Sequence, residues 1–404
     1  MKTDDGGILE LLQAMVRAPS HPGVPRQEEA TARILDGYLR RHGIRSELID
    51  VREGRPNLLA SIEGRHPGRH LLLCGHMDTV PPNDGSAADF FSGRIENGRM
   101  FGRGTVDMKG ALAAMAGALV GIRESGGLEA GRVTLAAVID EEMESLGAEA
   151  LIRSGIKADG CVIGEPTENR VAVGHKGLEW LEARFFGKAV HGSVRDEGID
   201  AIAAAAHFIS LIETELIPLF GRNPDPILGP SAINLGTIHG GQQPSIVAAE
   251  CRVQVDRRWV STETIEQVFG GLEELLARVR AARPGLRTEL ARMPEGMAMM
   301  LHGPLVIDPG HPLVLAARQA LADAGRDSST TVFPAWTDGA LLSREAGIPT
   351  VIWGPGELKL AHSAEESVPV EEICLASRLY AAAARRFTVP APAGGPAPGF
   401  QGPS

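Results

Sequence analysis

The chain has 404 residues, of which 43% are hydrophobic and 23% charged, with a formal net charge of -11. That length exceeds one ordinary core and implies two domains, in the composition range of a soluble globular protein. The acidic balance excludes a nucleic-acid binder, which needs a basic face.

The N-terminus, MKTDDGGILE, lacks the basic-then-apolar layout of a signal peptide. No apolar stretch is read as a membrane span; AAMAGALVGI at 113–122 is too short and too rich in Ala and Gly. The four cysteines, Cys74, Cys161, Cys251 and Cys374, form no CxxC pair and read as small buried residues rather than a zinc knuckle. A cytoplasmic protein with neither a nucleic-acid nor a membrane partner is the expectation.

In chain order, helical periodicity covers 7–17 and 26–43, where Ala30, Ile34, Leu35 and Leu39 make an apolar stripe. Strand-like runs follow at Ser46–Val51 and Asn57–Ile62. The stretch LLLCGHMDTVPP, Leu71 to Pro82, reads as a buried strand ending in a turn. Residues 83–100 read as a polar loop, with Asn83, Asp84, Gly85 and Ser86 together. GRGTVDMKG at 102–110 feeds a helix at 109–124. Strands are expected at 132–140 and 160–167. Alternating strands and helices imply an α/β fold built on a mostly parallel sheet.

The pattern changes after Gly177. A strand at 178–188, a helix at 198–215, strands at 231–239 and 246–257, a helix at 262–283 and a strand at 286–292 form a split βαβ, ferredoxin-like order. From 311 the α/β pattern resumes through 387. The expected organisation is a catalytic domain in two parts, 1–178 and 295–388, an inserted domain at 179–294, and a disordered Pro/Gly-rich tail at 389–404.

Acidic and histidine residues gather where strands end: His76 with Asp78, Asp107, the run Asp140-Glu141-Glu142, Glu165 and His362. In open α/β sheets that edge is where sites form. Imidazole and carboxylate without thiolate suit zinc, and also cobalt or manganese. Each cluster alone has an ordinary reading: a strand-end histidine, an acid near a helix start, an exposed acidic turn. All of them on one sheet edge favour a site.

GHMDTVP, GRGTVDMKG, DEE, GEPT and AHSAEE resemble the signature of the di-zinc amidohydrolase and exopeptidase family. That family includes acetylornithine deacetylase, succinyl-diaminopimelate desuccinylase, glutamate carboxypeptidase and the aminoacylases. The resemblance spans residues 7 to 387. It implies two zinc ions per subunit, with cobalt or manganese as substitutes, on a zinc-peptidase-like catalytic domain. Asp107 would bridge them; His76 and Glu165 would complete one metal, Glu142 and His362 the other. Asp78 would orient His76, and Glu141 would be the general base. The inserted α+β domain would serve as lid and dimerisation surface of a homodimer.

On the insert, the resemblance gives His191 of AVHGS a role in the partner subunit's active site, stabilising an oxyanion. It makes Arg258, in Asp256-Arg257-Arg258, a grip for a substrate carboxylate. Thr337-Asp338-Gly339 resembles a substrate-side loop, with a capped helix start as the plain alternative. The sequence departs from the family's Asn-x-Val-Pro segment, carrying Ser245 and Ala248 there, which puts the substrate contact of that asparagine in doubt. The implied activity is hydrolysis of an amide bond in an N-acyl amino acid. A carboxypeptidase or dipeptidase is the alternative, and a non-catalytic metal-binding protein the alternative of another class.

Overall fold

In the computed structural model, residues 4–83, 89–294 and 300–390 are described. Asp84, Gly85 and Ser86 and almost all of the proposed tail lie outside the described residues. The chain runs through β1 (Ser46–Arg52), β2 (Arg55–His76), β3 (Ile95–Glu96), β4 (Arg99–Phe101), β5 (Leu128–Val138), β6 (Gly160–Ile163) and β7 (Val171–His175). It continues through β8 (Gly177–Phe186), β9 (Ala232–Gly240), β10 (Glu250–Trp259) and β11 (Arg287–Arg292). The last strands are β12 (Leu305–Val306), β13 (Thr330–Phe333), β14 (Thr350–Ile352) and β15 (Ser367–Pro369).

The large sheet has eight strands in the order β1-β2-β6-β14-β7-β12, with β5 on β2 and β13 on β7. The runs expected at Asn57–Ile62 and Leu71 onward belong to one long strand, β2. Its partners on β5 fall from Ala137 to Val133 between Leu58 and Ile62, then rise from Arg132 to Val138 between His70 and His76. The two halves of β2 therefore lie on either side of β5. Pairings β2–β6, β14–β6 and β13–β7 are parallel, whereas β1–β2, β12–β7 and β14–β7 are antiparallel. The sheet is mixed, so parallel pairing does not extend throughout it.

Strand alternation explains the core. Leu71 and Leu73 join one apolar cluster, while Leu72 and Cys74 join another on the opposite face. Both faces are covered, which is why this segment reads as an unbroken apolar run. On one face the buried helix Lys109–Glu124 packs between helices Asp5–Val16 and Val370–Thr388. Its Ala and Gly content permits that close approach. All four cysteines are buried and unpaired.

Residues 177–292 make a separate four-stranded antiparallel sheet, ordered β11-β8-β10-β9. Helices Ala201–Leu211 and Ile265–Ala281 contribute to its own apolar cluster, including Phe185, Phe208, Leu272 and Leu276. A full capping box of Thr264 and Gln267 starts the second helix. The helical run Ala201–Phe220 corrects one expectation: by length and composition it is apolar enough to cross a membrane. Its buried side, with Ala201, Ala204, Ala205 and Phe208, belongs to the cluster over this sheet.

Residues 83–100 are not all loop. β3 and β4 form a hairpin turned by Asn97-Gly98, both at positive φ, and β15 pairs with β4. The Asn-Gly pair is the signal that would have found it.

Candidate metal centre

Each site residue is placed by a strand end or a tight turn. His76 ends β2. A Cβ at the preceding Gly75 would collide with the Met108 side chain, so glycine lets the segment after Asp107 pack beneath His76. Glu141 and Glu142 follow Asp140 on the turn beyond β5, and Asp140 sits in the left-handed region. Glu165 follows β6, Asp107 precedes the helix Lys109–Glu124, and His362 lies on a late loop with φ of 61°.

Folding brings these residues together. His76 Nε2 lies 3.0 Å from Asp107 Oδ1 and 3.6 Å from Glu165 Oε1. His362 Nε2 lies 3.2 Å from Asp107 Oδ2 and 3.1 Å from Glu142 Oε1. The two oxygens of Asp107 thus face two different histidines. His76 Nδ1 is 3.1 Å from the Asp78 backbone oxygen and 3.4 Å from its carboxylate. The Asp78 carboxylate also accepts the N–H groups of Glu141 at 3.2 Å and Glu142 at 3.0 Å. It therefore holds the acidic turn as well as the imidazole.

The electrostatics are those of crowded buried carboxylates. Burial, then repulsion from Asp107, raises Glu165 to about 7. Burial and the Asp107 charge likewise raise Glu142. Burial raises Glu141 well above the carboxylate range; His76 opposes this, while Asp338 and Glu165 add to it. Burial opposes ionisation of Asp107, but hydrogen bonds from His362 and His76 outweigh it and hold it low. Hydrogen bonds to Asp107 and Glu142 raise His362 to about 10. Buried negative charge facing too few cationic groups is a site suited to cations. Donor atoms of His76, Asp107 and Glu142 lie within 4.8 Å of one another, so they could hold a metal ion.

Of the residues named for substrate, His191 and Arg258 lie on the antiparallel unit, whereas Asp338 is close enough for its charge to act on Glu141. His191 is exposed on the antiparallel unit, its Nδ1 2.8 Å from Ser193 Oγ. Arg258 spends its fork on Asp256, at 2.8 and 3.0 Å. Thr337, Asp338 and Gly339 are buried at a helix start. Thr337 Oγ1 accepts the Gly339 N–H at 3.1 Å, whereas the Asp338 carboxylate faces Ser145 without a well-formed hydrogen bond.

A supporting layer had not been identified from sequence. Arg55, in a buried cluster, bonds Glu28 and reaches Asp140 at 2.7 Å. Asn57 holds the same turn, accepting the Ile139 N–H and donating to Gly147 O. Lys109 is fully buried, donates to Met15 O and Ala18 O, and is pushed down to about 7 by burial. Arg103 and Glu366 form a buried pair. A charged residue opening a long apolar run, as Lys109 does before Gly110–Ile122, is the available signal.

The family model for peptidase family M20/M25/M40 matches residues 72–386. The chain belongs to that family. Acetylornithine deacetylase of Photorhabdus laumondii is 30% identical over 388 residues, spanning 91% of this chain and 93% of the relative. The N-formyl-4-amino-5-aminomethyl-2-methylpyrimidine deformylase of Bacillus subtilis is 28% identical, with 91% of each chain covered. A tripeptidase from Staphylococcus aureus has the same fold, with a TM-score of 0.79, 22% identity, and coverage of 95% of this chain and 98% of that one. The M20/M25/M40 chain is a hydrolase acting on amide bonds.

Proposed function

We propose that this M20/M25/M40 hydrolase is an N-acyl amino acid deacylase working with two divalent metals, zinc by preference and cobalt or manganese as substitutes. The observation that carries the reading is Asp107, with one carboxylate oxygen beside His76, which also neighbours Glu165, and the other beside His362, which also neighbours Glu142. Those five residues would hold the metals. When bound, the metals supply Lewis acidity, polarising the scissile carbonyl and acidifying a water.

The chain's own residues do the rest. Glu141 is half-buried, and desolvation raises its proton affinity above that of an ordinary carboxylate, the direction a general base needs. It takes the proton of the attacking water on its carboxylate and passes it to the leaving amine nitrogen. Asp78 fixes the turn that presents Glu141. Arg258 would exchange Asp256 for a substrate carboxylate, and Thr337-Asp338-Gly339 would border the acyl pocket.

We read residues 179–294 as a lid between catalytic segments 1–178 and 295–388. The reading includes a homodimer formed through that insert. Its support is β9, an edge strand with Ile238 exposed, and His191, which belongs to no cluster in its own chain among the described residues. His191 would then act in the partner subunit's site. Free thiols throughout fit a cytoplasmic setting. Zinc- or cobalt-loaded protein should release amino acid from a panel of N-acetyl amino acids and lose that activity on chelation. Cleavage of dipeptides alone would move the assignment to a peptidase, and turnover of neither class would leave a non-catalytic metal-binding protein.

A further inference from the structure

Arg103 lies where three site loops meet. Its side chain is 1% exposed and its guanidinium lies 5.2 Å from the Phe90 ring centroid. Nη2 donates to Asn83 Oδ1 at 2.9 Å, Pro81 O at 3.3 Å and the His362 carbonyl at 3.4 Å. Nη1 donates to Ser363 O at 3.2 Å and Glu366 Oε2 at 2.7 Å. The other oxygen of Glu366 accepts the N–H groups of Gly104 at 2.8 Å, Val106 at 3.0 Å and Asp107 at 3.3 Å. A continuous path therefore runs from the Asp107 N–H through Glu366 and Arg103 to the carbonyl of His362.

The two halves of the centre differ in what holds them. His76 ends β2 and Glu165 follows β6, and the spacing of these strands is set by the parallel ladder with Cys74 opposite Ile163. His362 has no such frame. Its side chain is 49% exposed and it lies on a loop in left-handed backbone. Arg103 and Glu366 supply the missing frame. A planar guanidinium carries five N–H donors in a fixed fork, against three on a freely rotating ammonium group, which suits it to the five acceptors here.

We propose that Arg103 and Glu366 are a positioning pair that fixes His362 against Asp107 and thereby sets the affinity for the metal on the His362–Glu142 side, leaving the His76–Glu165 side nearly unaffected. The inference rests on the dinuclear reading above.

Calorimetric zinc titration of metal-free protein tests it, with Arg103→Lys, Glu366→Gln and the milder Asn83→Ala beside the wild type. Leu321→Ala, a buried helix residue away from the site, serves as a control for general loss of stability, followed by circular dichroism. Wild type and Leu321→Ala should bind two equivalents. Arg103→Lys and Glu366→Gln should bind the first within about threefold of wild type and the second about 10- to 100-fold more weakly, the usual range for residues that orient metal ligands. Asn83→Ala should fall between, and it decides the matter if the other two fail to fold. Two equivalents bound by the variants with wild-type affinities, or equal weakening of both, overturns the positioning role. A wild type that binds fewer than two equivalents overturns the dinuclear reading and this proposal with it.

Discussion

Glu142 and His362 stand 220 residues apart in the chain, yet Glu142 Oε1 lies 3.1 Å from His362 Nε2. The same nitrogen is 3.2 Å from Asp107 Oδ2. One imidazole nitrogen thus faces carboxylate oxygens from two other loops, an arrangement in which a shared cation replaces direct contact. His362→Ala should therefore remove one metal equivalent while leaving the fold intact, because the side chain is half exposed. Metal analysis after dialysis, with circular dichroism, checks both halves of that statement. Retention of both equivalents would remove His362 from the ligand set.

Glu141 and Glu142 are neighbours on one turn, and the proposed function gives them separate parts. Glu141→Gln keeps the volume but cannot take a proton. Turnover should fall by about 10²- to 10⁴-fold, the usual worth of a positioned acid–base group, with metal content unchanged. Initial rates on an N-acetyl amino acid, measured beside metal analysis, decide it. If metal loss and activity loss occur together, Glu141 is a ligand and not the base.

Arg55 pairs with two carboxylates, and all three side chains are nearly excluded from solvent: 9% exposed for Arg55, 0% for Glu28 and 5% for Asp140. Burial raises both acids, and the Arg55 hydrogen bond opposes it in each. Arg55→Ala would strand two buried charges and should cost about 3–5 kcal/mol of stability. Asp140 adjoins Glu141, so kcat should fall as well, at temperatures where the variant is still folded. Chemical denaturation gives the first number; a loss below about 1 kcal/mol would mean the pair is already neutral or hydrated.

His175 is completely buried, and burial pushes its imidazole down from 6.5 to about 4. Burial and the Arg292 charge do the same to His302, which packs on Trp336 beside it. The folded state keeps these rings neutral. Between pH 6.5 and 4 the unfolded chain binds more protons, so the contribution to stability is present above 6.5 and is lost as pH falls through 4. For His175 the full effect is about 3 kcal/mol. The urea midpoint of wild type should fall between pH 7.5 and 5 more steeply than that of His175→Gln. Parallel slopes would contradict the argument.

Much of the site was legible because local chemistry writes it locally. An apolar strand ending in Gly75-His76-Met77-Asp78, an acidic run after β5 and a late histidine each leave a short signature. The ferredoxin-like element order after Gly177 was legible for a related reason: period and turn residues are set by neighbours in sequence. The sequence did not show that β2 would lie on both sides of β5, because strand pairing is a long-range choice among apolar runs that look alike. Residues 83–100 read as loop because β3 and β4 are too short to show a strand period and are held by each other and by β15, with the Asn97-Gly98 turn as the local signal.

The sequence by itself determined which residue types stand ready at the strand ends: two imidazoles, six carboxylates and no thiolate. Tertiary structure alone decided that Asp107 faces both histidines, that Asp78 holds the Glu141–Glu142 turn, and that Arg103 and Glu366 tie Asp107 to His362. The physical reason is that a buried charge is tolerated only where the fold supplies its partners, and those partners lie tens to hundreds of residues away in the chain.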